Sequence, residues 1–205
     1  MIINDDVNNW ITKQNSINCL VTSMPDKEET DLNHSEWNKW FKDIAFRLMN
    51  ITETYAVFYQ TDRKYNGKLI PKDKLLYEAA QMANMDLIYH KIVLKVNVDK
   101  VNLYRPGYSH ILFFSKDKRT TQPVTPDVFH NGKMYYKNSI GENALNCIYN
   151  ILDKYDDIDT ITDSFCGKGS ILCAAKERNY NYVGVEILSD YCDITNKRLA
   201  EIMKD

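Results

Sequence analysis

A glycine-containing turn near the end of the chain constrains the fold more than any other feature. Residues 163–170 read Asp-Ser-Phe-Cys-Gly-Lys-Gly-Ser, between a predicted strand over 158–163 and a predicted helix. In such a turn, backbone N–H groups and a helix N-terminus come close to a ligand. Only 36 residues follow Gly169, which is too few for the further strand–helix units of a doubly wound sheet. The other strands must therefore come from upstream.

A carboxylate follows the turn at an informative distance. The next predicted strand, 182–187, ends in Gly184-Val185-Glu186, and Glu186 comes about twenty residues after Asp163. Nucleotide-binding sheets place the acidic group that holds ribose hydroxyls at this position. A P-loop is excluded because Lys168 precedes the second glycine. The alternative is an ordinary strand–turn–helix corner without a ligand.

Hydrophobic periodicity predicts an α/β sheet covered by helices on both faces. The predicted strands are 18–22, 55–59, 87–96, 110–115, 158–163 and 182–187. Strands 87–96 and 110–115 are expected to form an antiparallel pair. The predicted helices are 37–48 with a cap at Ser35, 74–84, 141–155 and a last one from residue 189. Segments 60–72 and 116–135 are predicted loops.

Composition excludes several classes of protein. A hydrophobic fraction of 44%, a charged fraction of 26% and a net charge of −2 are typical of a globular domain, not of a polybasic binder or a disordered chain. No apolar run approaches the roughly 20 residues of a membrane span. The acidic N-terminal segment is unlike a secretory signal, so we expect an intracellular protein, cytoplasmic or nuclear. The five cysteines form no C-x-x-C pair, and we predict core cysteines and no metal site.

The motif Asp-x-Phe-x-Gly-x-Gly-Ser followed by Gly-Val-Glu resembles the S-adenosylmethionine site of class I methyltransferases. Within that group the chain is most similar to the circularly permuted DNA amino-methyltransferases, which modify N4 of cytosine or N6 of adenine. The resemblance covers nearly the whole chain, through segments 4–6, 22–26, 105–110 and 163–170 in order. It implies a Rossmann-like, mostly parallel sheet with an antiparallel edge strand. It also implies one domain, 1–205, with a catalytic and substrate half at 1–135 and a cofactor half at 136–205.

The resemblance assigns cofactor contacts to residues of this chain. The loop that wraps the methionine part of the cofactor corresponds to Asp163, Phe165, Cys166, Gly167, Gly169 and Ser170. Glu186 would take the ribose, and Asp5 or Asp6 would face the adenine amine. Asn138 and Ser139, in the turn before the helix that precedes the cofactor strand, would touch the methionine carboxylate.

The same resemblance identifies a catalytic turn. An exocyclic amine is a poor nucleophile because its lone pair is conjugated with the ring, and two acceptors for its hydrogens free that lone pair. The family provides them with an Asp/Asn/Ser-Pro-Pro-aromatic turn, in which the first side chain and the next carbonyl accept and the aromatic ring stacks on the base. This chain has Ser23, Met24, Pro25 and Asp26. Ser23 and the Met24 carbonyl retain the acceptors and Pro25 the bend, but a carboxylate replaces the ring.

The loss of the ring calls for another stacking platform. Tyr59 and Tyr108, both at strand ends, are the candidates and Trp10 is a poorer one, whereas Trp37 and Trp40 are expected in the core. Asp26 could hold a base edge, assist proton removal or cap the next segment. Arg105 suits a phosphate, and His110 is either a substrate contact or a structural histidine. The basic residues Arg63, Lys64, Lys118 and Arg119 lie in the predicted loops and could hold a nucleic-acid backbone.

These features predict an S-adenosylmethionine-dependent methyltransferase that acts on an amino nitrogen of a nucleic-acid base. RNA, including tRNA, is the alternative to DNA, because the sequence has no room for a separate target-recognition domain. The chain would then act on unpaired bases or borrow a protein partner. A catalytically silent cofactor-binding subunit is the rival hypothesis, motivated by the altered turn, and a protein or small-molecule methyltransferase is the third.

Overall fold

The computed structural model describes residues 1–97, 99–101, 105–117 and 125–202, which form a central sheet between two layers of helices. The strands are β1 (Ile2–Asn4), β2 (Cys19–Thr22), β3 (Tyr55–Gln60), β4 (Arg63–Tyr65), β5 (Lys68–Ile70), β6 (Asp86–Leu94), β7 (Tyr108–Ser115), β8 (Val128–His130), β9 (Thr160–Asp163) and β10 (Asn181–Glu186). The helices are α1 (Val7–Ile11), α2 (His34–Ile51), α3 (Lys72–Met82), α4 (Glu142–Leu152), α5 (Ser170–Glu177) and α6 (Ser189–Glu201).

The strand order in the main sheet is β1-β10-β9-β2-β3-β7-β6-β8, and β4 and β5 form a separate hairpin. Neighbours are parallel throughout, except that β7 runs antiparallel to both β3 and β6. The predicted class, a mostly parallel α/β sheet with an antiparallel strand, is confirmed. The antiparallel strand is not at the edge, however, because β6 and the short β8 pair beyond it.

Strands from both ends of the chain meet in the middle of this sheet. β9 lies between β10 and β2, with Leu20 opposite Thr162. Strand order reverses between β9 and β2, and ligands of open α/β sheets bind in the crevice outside such a reversal. The division into a substrate half and a cofactor half at residue 135 stays a prediction.

The central strands are apolar on both faces because both faces are covered. All four residues of β2 and all six of β3 are buried. Phe58 belongs to the same buried cluster as Trp37 and Phe41 of α2, and Val57 belongs to a second cluster with Ile148 and Tyr149 of α4. All five cysteines are buried thiols, as predicted. Among the described helices, none combines the length and apolarity that crossing a bilayer would require.

Three local predictions were wrong. Helix α2 begins at His34 under a capping box in which Asn33 Oδ1 accepts from Glu36 N, so Ser35 is not the cap. The predicted loop 60–72 contains the β4–β5 hairpin. Its turn has Asn66 and Gly67 in left-handed conformations, and an Asn-Gly pair is a sequence signal for such a hairpin. The predicted loop 116–135 contains β8.

Candidate active site

A cavity of about 620 Å³ opens at the carboxyl ends of β1, β10, β9 and β2. Its size is in the range of small-molecule and cofactor sites. It brings together eight of the residues predicted from the sequence: Asp5, Asp6, Ser23, Met24, Pro25, Phe165, Gly167 and Glu186. Leu32, Trp40, Leu188 and Tyr191 also line it, and none of these four was predicted as a site residue.

The two glycines of the turn have different tasks. Both adopt left-handed conformations, with φ of +51° at Gly167 and +77° at Gly169, which glycine permits at little cost. A Cβ on Gly167 would meet nothing within 4 Å, so its backbone is open to the cavity that it lines. A Cβ on Gly169 would lie 2.5 Å from Cγ2 of Thr195, so Gly169 permits close packing of α6. Gly169 does not line the cavity, and its cofactor contact stays a prediction.

Glu186 is fixed by the backbone around it. Its Oε2 accepts from Gly167 N at 2.9 Å, and its Oε1 accepts from Leu188 N at 2.9 Å. A carboxylate offers about four lone-pair positions, so two remain for hydroxyl donors. Glu186 is half-buried on the cavity wall. It is therefore a pre-oriented acceptor, as a ribose diol requires.

Asp163, Cys166 and Ser170 of the same turn are buried outside the cavity. Asp163 Oδ1 accepts from Thr22 Oγ1 at 2.8 Å and from Phe165 N at 3.2 Å, which ties β9 to β2 and shapes the turn. Burial raises the pKa of Asp163 to about 7, although these two hydrogen bonds oppose the shift. Burial likewise raises the pKa of the Cys166 thiol. Ser170 donates to the Tyr136 hydroxyl at 2.8 Å.

Asp5 and Asp6 line the cavity, whereas the Asn138–Ser139 turn does not. Asp5 pairs with Lys13 at 2.8 Å, and the hydrogen bond from Lys13 lowers the pKa of Asp5. Asp6 caps α1 by accepting from Asn8 N at 2.7 Å. Ser139 is buried in its own turn, where its hydroxyl accepts from Tyr136 N at 3.4 Å.

The turn that follows β2 forms part of the cavity wall, through Ser23, Met24 and Pro25. Ser23 is half-buried on this wall, as a hydroxyl acceptor for a substrate must be. The Met24 side chain is only 2% exposed, and its carbonyl accepts from Gln60 Nε2 at 3.3 Å. Ser23 and Met24 therefore lie at the β2 end of the cavity, and β9 separates them from Glu186 at the end of β10.

Asp26 faces away from the cavity into a cluster of cations. Its Oδ1 pairs with the ammonium of Lys72, and its Oδ2 lies 3.5 Å from Arg63 Nε and 3.2 Å from Arg105 Nη2. The Asp26 side chain is only 12% exposed. Its N–H donates to Glu29 Oε2 at 2.7 Å, which starts a short 3₁₀ turn over Lys27–Glu29. Asp26 therefore anchors three cations and does not substitute for a stacking ring.

Two of the predicted stacking platforms, Tyr59 and Trp10, are buried, whereas Trp40 lies on the cavity wall. Tyr59 is 5% exposed and Trp10 is 4% exposed, and neither lines the cavity. Trp40 is half-buried on the cavity wall, with its ring edge-on to Phe165 at a centroid distance of 6.0 Å. Helical periodicity places Trp40 beside the apolar stripe of α2, so the sequence predicts a core residue. The exposure of Trp40 to the cavity depends on where α2 lies relative to the ends of the strands, which the helical pattern does not report.

His110 is held between two side chains and lies outside the cavity lining. It is buried, with Nε2 3.1 Å from Asp62 Oδ2 and Nδ1 2.9 Å from His90 Nε2. Asp62, Asp73 and His110 bring three potential metal ligand atoms within 4.8 Å of one another. Tyr108 packs edge-on to His110 at 5.3 Å and, like Arg105, lies outside the cavity lining. Lys118 and Arg119 lie outside the described residues.

Comparison with known proteins identifies relatives for almost the whole chain. A family model described as DNA methylase matches residues 6–197. TTHA0409 from Thermus thermophilus, assigned as a DNA modification methylase and complexed with S-adenosyl-L-methionine, superposes with a TM-score of 0.71 at 18% identity, over 97% of this chain and 92% of that one. No curated protein sequence matches the chain.

Two further structures have the same fold. The M1.HpyAVI–SAM complex gives a TM-score of 0.67 at 15% identity and covers 97% of this chain and 98% of that chain. PvuII DNA methyltransferase, described as cytosine-N4-specific, gives a TM-score of 0.66 at 14% identity and covers 98% of this chain and 93% of that chain.

Proposed function

The chain belongs to the N6/N4 DNA methylase family, and on this premise we propose that it transfers a methyl group from S-adenosylmethionine to an exocyclic amino nitrogen of a nucleic-acid base. The resemblance drawn from the sequence is thereby confirmed at the level of the family. DNA is the substrate class that the family indicates. The RNA alternative gains no support from the family or from the three structures compared.

One observation supports the proposal above all others: a single cavity joins the Gly167–Glu186 end to the Ser23–Met24 turn. The first end offers an open glycine backbone and a pre-oriented carboxylate, which suits a nucleoside with a free diol. The second end offers a hydroxyl and a main-chain carbonyl side by side. A methyl donor and a target amine could therefore occupy one cavity.

The residues of the chain do most of this work by positioning. When bound, S-adenosylmethionine supplies the methyl group on an electron-poor sulfonium. Glu186 would accept the ribose hydroxyls, and Asp5 or Asp6, which also line the cavity, would face the adenine amine. Ser23 Oγ and the Met24 carbonyl accept the two hydrogens of the target amine, which frees its lone pair from the ring. The apolar wall of Trp40 and Leu32 excludes water and offers Trp40 as the stacking surface for the base.

We propose that the preferred target is an unpaired base. Extracting a base from a duplex costs a few kcal/mol, which an unpaired base largely avoids. Arg63 and Arg105 flank the catalytic turn through Asp26. Arg63 also pairs with Glu28 at 2.7 Å, so Arg105, whose side chain is 38% exposed, is the better placed of the two to hold an adjacent phosphate. A protein partner that selects the target sequence would be needed for strong methylation of duplex DNA.

The test is methyl transfer from labelled S-adenosylmethionine to duplex DNA, single-stranded DNA, structured RNA and protein, followed by mass spectrometry of the nucleosides. We expect methylated amino groups, more in single-stranded than in duplex DNA, with a steep decline as salt rises. Ser23→Ala should lower kcat and leave cofactor affinity nearly unchanged, whereas the exposed Ser35→Ala serves as the matched control. Cofactor binding without any methylated nucleoside would favour the silent-subunit hypothesis.

A further inference from the structure

No ring fixes the backbone of Met24, the second residue of the catalytic turn. Pro25 has a φ fixed by its ring, but Met24 occupies a position where the family's turn has proline and has no such constraint. Its carbonyl must nevertheless point steadily at the target amine, because an error of about 1 Å can cost a factor of about 100 in rate. Something else in the structure must fix the orientation of this carbonyl.

A hydrogen-bonded relay reaches the Met24 carbonyl from the interior. Gln60, the last residue of β3, donates from Nε2 to Met24 O at 3.3 Å. Lys72, the first residue of α3, donates from Nζ to Gln60 Oε1 at 3.3 Å. An ammonium can only donate, so Lys72 fixes which end of the Gln60 amide faces it and directs the NH₂ group at Met24.

Burial makes this relay more rigid than a surface contact. Gln60 and Lys72 are each 1% exposed, and the Lys72 ammonium also lies 5.8 Å from the ring of Trp37. In such surroundings hydrogen bonds are electrostatically stronger than in water and polarise one another. The buried charge of Lys72 is balanced by Asp26. The Met24 carbonyl has two lone pairs, so the bond from Gln60 leaves one for the substrate.

We propose that Gln60 and Lys72 are positioning residues for methyl transfer, which hold the Met24 carbonyl in the orientation that accepts a hydrogen of the target amine. Asp26, in place of the family's aromatic ring, pairs with the Lys72 ammonium and holds it in position. This inference rests on the proposed function and adds to it two residues on elements distant in sequence from the turn.

Two variants remove the relay without leaving a buried charge unpaired. Gln60→Leu deletes the donor at nearly constant volume, and Lys72→Met deletes the ammonium while Asp26 keeps Arg63 and Arg105 as partners. Each should lower kcat by about 10- to 100-fold, because the acceptor is misplaced. The KM values for cofactor and DNA should change by less than about threefold, since neither residue lines the cavity.

Matched controls separate positioning from general stability. Lys91 has a side chain equally buried at 2% exposure and paired with Asp127 at 2.7 Å, but it lies on β6 away from the turn. Lys91→Met should lower Tm about as much as Lys72→Met and leave kcat unchanged. Tyr59→Phe, next to Gln60 but on the opposite face of β3, should also leave kcat unchanged.

A double-mutant cycle tests the link to the turn itself. If the relay takes the place of the proline ring that the family has at position 24, that ring should make Gln60 less necessary. The fold-loss in kcat caused by Gln60→Leu should then be at least about threefold smaller in a Met24→Pro background than in the parent. Equal losses in both backgrounds, or a kcat of Gln60→Leu equal to that of the parent, would overturn the proposal. If the parent transfers no methyl group, the proposed function fails. The ¹³C-methyl NMR spectrum of methionine then still tests whether Gln60 fixes the conformation of Met24. Gln60→Leu should shift and broaden the Met24 signal, and an unmoved signal would refute it.

Discussion

At the scale of single residues, Glu186 has the best-defined task, because backbone N–H groups of Gly167 and Leu188 fix both of its oxygens. Glu186→Ala removes a charge-assisted acceptor for two hydroxyls. We expect a loss of about 1–3 kcal/mol in the binding free energy of S-adenosylmethionine, measured by calorimetry. Glu177→Ala, an exposed carboxylate on α5, is the control and should bind normally. Unchanged affinity in Glu186→Ala would exclude the ribose assignment.

Trp40 allows an optical test of base stacking. The other two tryptophans, Trp10 and Trp37, are 4% and 1% exposed, so a bound base can reach only Trp40. An oligonucleotide with an unpaired target base should quench the tryptophan fluorescence of the parent, and Trp40→Phe should abolish this quenching. Trp40→Leu should weaken DNA binding by about 1–3 kcal/mol.

The matched control for this test is Trp10→Phe, which should retain the quenching. The cofactor is the competing ligand for the Trp40 wall, because Phe165 beside it belongs to the glycine turn. If Trp40→Leu weakens cofactor binding and leaves DNA binding intact, Trp40 contacts the cofactor and not the base.

At the scale of elements, the turn between β9 and α5 contains a matched pair of glycines. Gly167→Ala should cost about 1–2 kcal/mol in the free energy of unfolding, from its left-handed φ alone. Gly169→Ala should cost about 1–3 kcal/mol more, because its Cβ would lie 2.5 Å from Cγ2 of Thr195. Urea unfolding of the two variants measures the difference.

The clash partner of Gly169 provides the control. Thr195→Ser removes Cγ2 and keeps the hydroxyl that donates to Gly167 O at 2.9 Å. Adding it to Gly169→Ala should recover much of the lost stability. Cofactor affinity should show the opposite ranking, with the larger loss in Gly167→Ala, whose new methyl would face the cavity. Equal effects of both glycines on stability would contradict the packing role of Gly169.

The elements were predictable from the sequence where a local pattern determines them. Strands β2, β3, β9 and β10, helix α6 and the glycine turn carry strong local signals, and their positions were close to those observed. The exposure of Trp40 and the burial of Tyr59 were not predictable, because both depend on how α2 and β3 face the rim of the sheet. The cations around Asp26 come from β4, α3 and the segment before β7, and no local pattern reports that convergence.

At the scale of the whole molecule, Asp163 couples stability to pH. Burial raises its pKa to about 7, so the folded state holds the proton more tightly than the unfolded state does. Ionising Asp163 in the folded state therefore lowers the free energy of unfolding. This loss is absent below about pH 4, where both states are protonated, grows as pH rises from about 4 to 7, and is complete above about pH 7. It amounts to at most about 4 kcal/mol.

Asp163→Asn should remove this dependence on pH. The free energy of unfolding of the variant, relative to the parent, should increase between about pH 5 and pH 8, measured by denaturant titration at each pH. Asp156→Asn, an exposed carboxyl on the preceding loop, should track the parent at both pH values. Parallel curves for Asp163→Asn and the parent would show that Asp163 is charged in the folded state.

The position of β9 between β2 and β10 also bears on how the protein is made. During synthesis, the edge of β2 that pairs with β9 has no partner until Thr162, the residue opposite Leu20, has been added to the chain. At about 5–20 residues per second, this interval lasts roughly 7–30 s. During that time a strand that is wholly buried in the finished fold offers an unpaired edge to any other nascent chain. A strand of four residues is therefore open to wrong pairing until its late neighbour emerges from the ribosome.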